Sequence, residues 1–307
     1  MNKMKQMKRI DIKLGYSCNN NCIFCILGDK RDKYKDLATK EIFAKISNAR
    51  KEGIGKIVIT GGEPTIRDDF FKIIRFAKDL GFEIIHIESN GLMFSYSNFA
   101  KKTVNAGANS FTISLHSPNP RDYAVLSNTS EENFYKVIEG INNIRKLTKN
   151  VGINCTVNKL NYRFLSEIVK LANNLGVISL NFPFLNPKGN AAIGKDNRKK
   201  VLISYKESKK YIEEAIKLAK KMHLGVSTEM VPPCIIPNHV DVIEELKEKQ
   251  IRVDAIEYYD KDFVKSQSEG RTKSQKCPKC RFDKKCQGLM ADYYRIYGDC
   301  EIIPIKR

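Results

Sequence analysis

Along the chain the spacing of apolar residues switches repeatedly between a period of two and one of three to four. RIDIKLGY (Arg9–Tyr16) alternates polar and apolar side chains and predicts a strand. ATKEIFAKISNARKEG (Ala38–Gly53) carries apolar residues at helical spacing and stops on Gly53. KIVITGG then predicts a buried strand with a glycine exit, and DDFFKIIRFAKDLG (Asp68–Gly81) the helix that follows it. The alternation continues with EIIHIESNG as strand, a helix near Asn98–Ala106, SFTISLHS as strand and a helix over Glu131–Leu147. GINCTVNK and the helix Phe164–Leu175 make a fifth unit, and ISLNFPF opens a sixth whose helix is predicted at Ser204–Met222.

Six β-then-α units in succession predict an α/β fold, a parallel sheet covered by helices. A partial (β/α)6 TIM-like barrel and a doubly wound sheet both satisfy this pattern. In either, functional residues collect at the C-terminal ends of the strands. Beyond Gly225 the rhythm fails, and the remainder carries five of the nine cysteines. The expected organisation is a barrel domain over 1–224 and a small C-terminal cysteine-rich module over 225–307.

Composition narrows the partners. The chain has 307 residues, enough to bury a core without disulfides. MNKMKQMKRI is basic but no apolar stretch follows it, and no run reaches the roughly 18 apolar residues of a membrane span. A cytoplasmic chain is expected, in which cysteines stay reduced and serve metals or catalysis. The net charge of +19, from 54 Lys and Arg against 35 Asp and Glu, suits nucleic acid, an acidic peptide or an anionic surface. The lysines are scattered along the chain, however, which is the pattern of solvated helix faces.

The chemistry concentrates just past the first strand. YSCNNNCIFC places Cys18, Cys22 and Cys25 at C-x3-C-x2-C spacing. Structural zinc needs four protein ligands, whereas three thiolates suit a four-iron cluster with one iron left open. TGGEPT ends the second strand, where paired glycines let backbone approach a ligand and Glu63 offers a carboxylate to an amine. ESNG ends the third strand with hydroxyl and amide groups, and SLHS the fourth with Ser114 and His116, a loop donor or a base.

Together these motifs resemble the radical S-adenosylmethionine (radical SAM) enzymes over about Arg9–Asn190. The cluster motif, with Phe24 before its last cysteine, and the GGEP one βα unit later both match. The resemblance implies that Cys18, Cys22 and Cys25 hold a [4Fe–4S] cluster whose open iron chelates the methionine of SAM. It implies that Phe24 packs near the adenine and that Gly61, Gly62 and Glu63 line the amine. Ser89, Asn90, Ser114 and Asn154 are candidate ribose and carboxylate contacts. It further implies reductive cleavage to a 5′-deoxyadenosyl radical, with a flavodoxin- or ferredoxin-type electron donor.

CPKCRFDKKC supplies Cys277, Cys280 and Cys286 at C-x2-C-x5-C spacing, and Cys234 lies 43 residues upstream of the first of them. Four thiolates suit a closed structural zinc or a fully ligated iron–sulfur cluster. The run is similar to the SPASM and twitch extensions of peptide-modifying radical SAM enzymes, which implies one auxiliary [4Fe–4S] cluster. Of the two remaining cysteines, Cys155 is a candidate hydrogen donor inside the barrel, and Cys300 the substitute ligand. The implied substrate is a ribosomal peptide or protein to be oxidised, crosslinked or epimerised. The alternative is a small metabolite in a dehydrogenase- or cyclase-type reaction. A third reading is a zinc protein that binds nucleic acid through its basic face.

Overall fold

The computed structural model describes residues 8–193, 195–247, 251–254, 261–262 and 270–306. Most of the N-terminal stretch read above for a signal lies outside the described residues, as does much of the polar stretch before the second cysteine run. Six units match the expected series. They are β1 (Arg9–Lys13) with α1 (Thr39–Lys51), β2 (Lys56–Thr60) with α2 (Phe70–Asp79), and β3 (Ile84–Ser89) with α3 (Ser97–Ala106). Next come β4 (Ser110–Ser114) with α4 (Pro120–Ser127) and α5 (Glu132–Arg145), and β5 (Val151–Asn154) with α6 (Leu165–Asn174). β6 (Ser179–Asn181) leads into α7 (Lys195–Val201) and α8 (Tyr205–Lys221).

The sheet does not stop at residue 224. β7 (Gly225–Ser227) pairs parallel with β6, and β8 (Ile251–Asp254) pairs parallel with β1 from the other side. β9 (Lys261–Asp262) runs antiparallel to β8. The strand order is therefore β7-β6-β5-β4-β3-β2-β1-β8-β9, eight parallel strands and one antiparallel edge. This is a partial TIM-like barrel, extended beyond the expected six by β7 at one flank and by β8 and β9 at the other.

The phase of each strand explains what the barrel is for. Ile10, Ile12, Ile57, Ile59, Ile85, Ile87, Phe111 and Ile113 point outward into a shared core with the helices and are wholly or almost wholly buried. Burying one such side chain stabilises the fold by about 1.5–3 kcal/mol, so the outer layer holds the sheet together. The inner positions are polar: Arg9, Asp11 and Lys13 on β1, Lys56 and Thr60 on β2, His86 and Glu88 on β3, Thr112 and Ser114 on β4. An ordinary TIM barrel fills its interior with branched aliphatic side chains. Here the interior is a lined chamber.

The helices start on local signals. Asn119 caps α4 by accepting from Asp122 N at 2.9 Å, with Pro120 at the first helical position. α8 opens with a reciprocal box, the Ser204 hydroxyl accepting from Glu207 N and the Glu207 carboxylate from Ser204 N.

Past the barrel, β10 (Arg271–Thr272) and β11 (Leu289–Met290) form a short antiparallel ladder followed by α9 (Ala291–Tyr297). Tyr293 of α9 stacks on Tyr205 of α8 with ring centroids 4.4 Å apart, and Tyr205 meets Phe184 at 4.3 Å. Arg271 forms a buried ion pair with Glu245 at 3.0 Å. No helix among the described residues is long and apolar enough to cross a membrane.

Candidate functional site

The first cysteine loop is held by close backbone contacts that only glycine permits. Asp36 accepts from Tyr16 N at 2.7 Å and Ser17 N at 3.1 Å, which fixes the chain just before Cys18. The exit of β2 then lies flat against it: Gly62 N donates to Gly15 O and Glu63 N to Ser17 O, both at 2.8 Å. A Cβ at Gly62 would stand 2.1 Å from Ser17 O, and Gly61 has φ +138, a conformation L side chains rarely adopt. The glycine pair therefore brings the second strand's exit onto the cysteine loop.

Cys18, Cys22 and Cys25 line one cavity of about 1280 Å³ above the sheet. Burial, then the neighbouring Cys25 and Cys18, push the Cys22 thiol up to about 12; burial raises Cys18 as well. Arg31 works in the opposite direction, donating to Asn20 O at 2.7 Å with its guanidinium 3.9 Å from Cys25 Sγ. Asn190, on the segment after β6, secures the loop from outside by donating to Cys22 O at 2.8 Å and, through its backbone, to Cys25 O at 2.9 Å. Cys18 and Cys22 thus sit where burial disfavours the thiolate until a cation is added.

Phe24 packs edge-on against His116 at 4.7 Å, and both line the cavity. His116 Nδ1 accepts from Thr156 N at 3.2 Å, so the proton is on Nε2, and burial lowers the ring to about 4. His116 is a neutral donor near pH 7 and not a base. Gly61, Gly62, Ser89, Asn90, Ser114 and Asn154 also line the cavity.

Glu63 stands behind this wall. Its Oε1 accepts from Thr65 N at 3.0 Å and Ser89 Oγ at 2.8 Å, and its Oε2 from Asn90 N at 2.6 Å. Burial raises its pKa and these bonds lower it. The carboxylate ties the second strand's exit to the third, and is not among the groups facing the cavity. Cys155, the candidate hydrogen donor, does not line the large cavity. It is wholly buried in the core cluster with Asn161 Nδ2 at 3.5 Å from its sulfur. It follows directly on the last residue of β5, Asn154, which does line the cavity.

Three cavity residues were not singled out from the sequence. Asn181 Nδ2 donates to Asn154 Oδ1 and to Glu229 Oε1, both at 3.1 Å, and Ser227 Oγ donates to Asn181 Oδ1 at 3.0 Å. Strand phase carried the available signal: Asn154, Asn181 and Ser227 are register partners on β5, β6 and β7.

The second cysteine site has another character. Cys234, Cys277, Cys280 and Cys286 line a single pocket of about 30 Å³ together with Pro232, Pro233 and Ile302. Burial raises Cys234 to about 12, with further contributions from Cys286, Cys280 and Cys277. Cys300 is exposed and lies outside this pocket. Adjacent residues of β11 face opposite ways, Leu289 into this pocket and Met290 into the large cavity.

The model of the radical SAM superfamily matches residues 12–172. The chain belongs to that superfamily. Membership carries with it a [4Fe–4S] cluster and SAM, and three thiols of one loop on the wall of the large cavity are the donor chemistry that suits such a cluster. The radical SAM chain is 31% identical over 249 residues to a probable GTP 3′,8-cyclase of Saccharolobus solfataricus, covering 76% of this chain and 77% of that one. It is 29% identical to a probable GTP 3′,8-cyclase of Sulfurisphaera tokodaii, over 69% of this chain and 64% of that one. Among solved structures it resembles SuiB of Streptococcus suis bound to precursor peptide SuiA, with TM-score 0.66, 16% identity, and 92% and 72% of the two chains covered. It also resembles HydG, a maturase of the [FeFe]-hydrogenase, with TM-score 0.56, 17% identity, and 74% and 53% covered. At such identities the likeness is one of fold.

Proposed function

We propose that this radical SAM enzyme transforms a small phosphorylated metabolite of the purine nucleotide class, and not a ribosomal peptide. The observation that carries this reading is the 31% identity to a probable GTP 3′,8-cyclase across three quarters of both chains. The peptide expectation keeps only a likeness of fold to SuiB in its support.

In this reading Cys18, Cys22 and Cys25 hold the [4Fe–4S] cluster. When bound, the cluster and SAM supply a 5′-deoxyadenosyl radical that takes a hydrogen atom from the substrate. The protein's own part is placement. Gly61 and Gly62 bring backbone to the methionine end, Glu63 orients the Ser89 and Asn90 turn beside it, and Ser114 and Asn154 contact ribose. Phe24 and the neutral His116 flank the adenine. The apolar outer layer of the sheet closes the chamber to bulk water from the helix side, which protects reactive species.

Cys234, Cys277, Cys280 and Cys286 hold an auxiliary [4Fe–4S] cluster in the C-terminal part of the chain, whose β7 and β8 complete the barrel sheet. Four thiols converging on one small apolar pocket support a fully ligated group. The chain works in the cytoplasm with a flavodoxin- or ferredoxin-type reductant. Anaerobic incubation of the reconstituted protein with dithionite, SAM and GTP tests the substrate class. GTP is expected to be consumed with a matching rise in 5′-deoxyadenosine; 5′-deoxyadenosine formed at an unchanged rate with GTP intact would sink the nucleotide reading and leave the radical SAM assignment standing.

A further inference from the structure

The segment that follows the third cysteine folds back over the loop it has just left. Gly28 N donates to Cys25 O at 3.3 Å and Lys30 N to Leu27 O at 3.0 Å. This tight turn over Gly28–Lys30 delivers Arg31 at its end with helical backbone angles. Three cations come close together here and are used differently. Lys30 lies 5.5 Å from the centre of the Tyr16 ring, and Lys33 meets Asp29 at 3.6 Å. Arg31 turns to the cysteines. One of its terminal nitrogens donates at 2.7 Å to the carbonyl of Asn20, which lies between Cys18 and Cys22 in the chain. The other is 3.9 Å from Cys25 Sγ. A guanidinium fork spans such a pair of groups, where the point charge of a lysine would reach one.

The placement leaves a charge without its usual counter-ion. Among the described residues Arg31 forms no ion pair, and its Nε is buried with no hydrogen-bond partner. Arginine stays protonated at every pH a folded protein meets, so desolvating it has to be offset by a fixed anion. The thiols it borders become that anion when they ligate a metal. Its charge is felt at Cys18 and Cys22 as well, and at both it opposes the effect of burial. Three thiolates around an oxidised four-iron core leave one net negative charge, and one-electron reduction adds a second. A cation fixed beside them therefore favours the reduced form over the oxidised one.

We infer that Arg31 tunes the reductive step: it raises the reduction potential of the cluster held by Cys18, Cys22 and Cys25 by keeping a permanent positive charge beside their sulfurs. This role rests on the cluster assignment proposed above and falls to a residue outside the cysteine and GGEP motifs. One electron passes from a flavodoxin- or ferredoxin-type reductant to the cluster, no bond forms or breaks, and Arg31 keeps its proton throughout. Because it acts through the ligand sulfur and the loop carbonyl, Arg31 is a positioning residue.

A redox titration of the anaerobically reconstituted full chain, followed by electron paramagnetic resonance, tests this. The signal that changes when SAM is added belongs to the cluster with an open iron, and its potential is then measured without SAM. Arg31→Gln should make reduction at least about tenfold less favourable, a fall of about 59 mV for a one-electron couple, with iron and the response to SAM retained. Arg31→Lys keeps the charge and should shift the equilibrium by no more than about threefold. An unchanged potential in Arg31→Gln overturns the inference. So does a shift in Arg31→Lys as large as that in Arg31→Gln, which would make the role one of loop shape and not of charge. If Arg31→Gln takes up no iron, Arg31→Met supplies the neutral side chain, and a tenfold loss in Arg31→Lys still overturns the inference. A wild-type chain whose signals ignore SAM overturns the cluster assignment itself, and is told apart because it involves no substitution.

Discussion

Cys18, Cys22 and Cys25 come from one loop and open onto a cavity of about 1280 Å³, whereas Cys234 and Cys277, Cys280 and Cys286 come from two distant segments and enclose about 30 Å³. The first set is bordered by a cation, backbone amides and polar side chains; the second by prolines, Leu289, Ile302 and Phe282, with Lys273 and Asp283 at its edge. Three donors beside space leave a coordination position for a reactant. Four donors around almost no space leave none. On the proposed function, the difference in chemistry between the two sites follows from how many thiols the chain brings and how much room it keeps beside them.

The sharpest break of this contrast is Cys22→Ala, which is expected to abolish 5′-deoxyadenosine formation, measured by chromatography after dithionite reduction. Persistent SAM cleavage would remove the first loop from the chemistry. Cys280→Ala should do the reverse, keeping SAM cleavage while losing conversion of substrate, with iron falling from about eight to about four per chain. Four irons plus one zinc in the wild type would make the second site a structural knuckle, and equal iron loss in Cys300→Ala would displace Cys234 as fourth ligand. Gly62→Ala forces a methyl against Ser17 O and shifts the cysteine loop; a rate loss on the order of a hundredfold with iron largely retained is expected, the scale of a 1 Å misplacement. Cys155→Ser should change turnover by no more than about twofold, since a buried core thiol leaves the reaction untouched and the swap acts through stability. A large loss there would return Cys155 to the mechanism.

The six repeated units were legible because each strand's apolar residues and each helix's stripe are local patterns. α4 was passed over although Asn119-Pro120 announces it, because its eight residues fall inside what reads as a loop. β7 and β8 had too little to show. Gly225–Ser227 is three residues with one aliphatic, and β8 pairs with β1 across more than 200 residues of chain, which no local window reports. In the site, the motif residues could be placed by spacing, but Asn181 and Glu229 depend on strand phase and on β7 being in the sheet. Cys155, one residue past β5, packs into the core cluster, a placement that no spacing in the sequence reports.

β11 is a wall with two faces, Leu289 toward the four cysteines and Met290 toward the reaction chamber. A shift of this strand on filling either pocket would be felt in the other. Whatever a nucleotide does to the rear site's hold on its metal, the metal must do in equal measure to the chamber's affinity for the nucleotide.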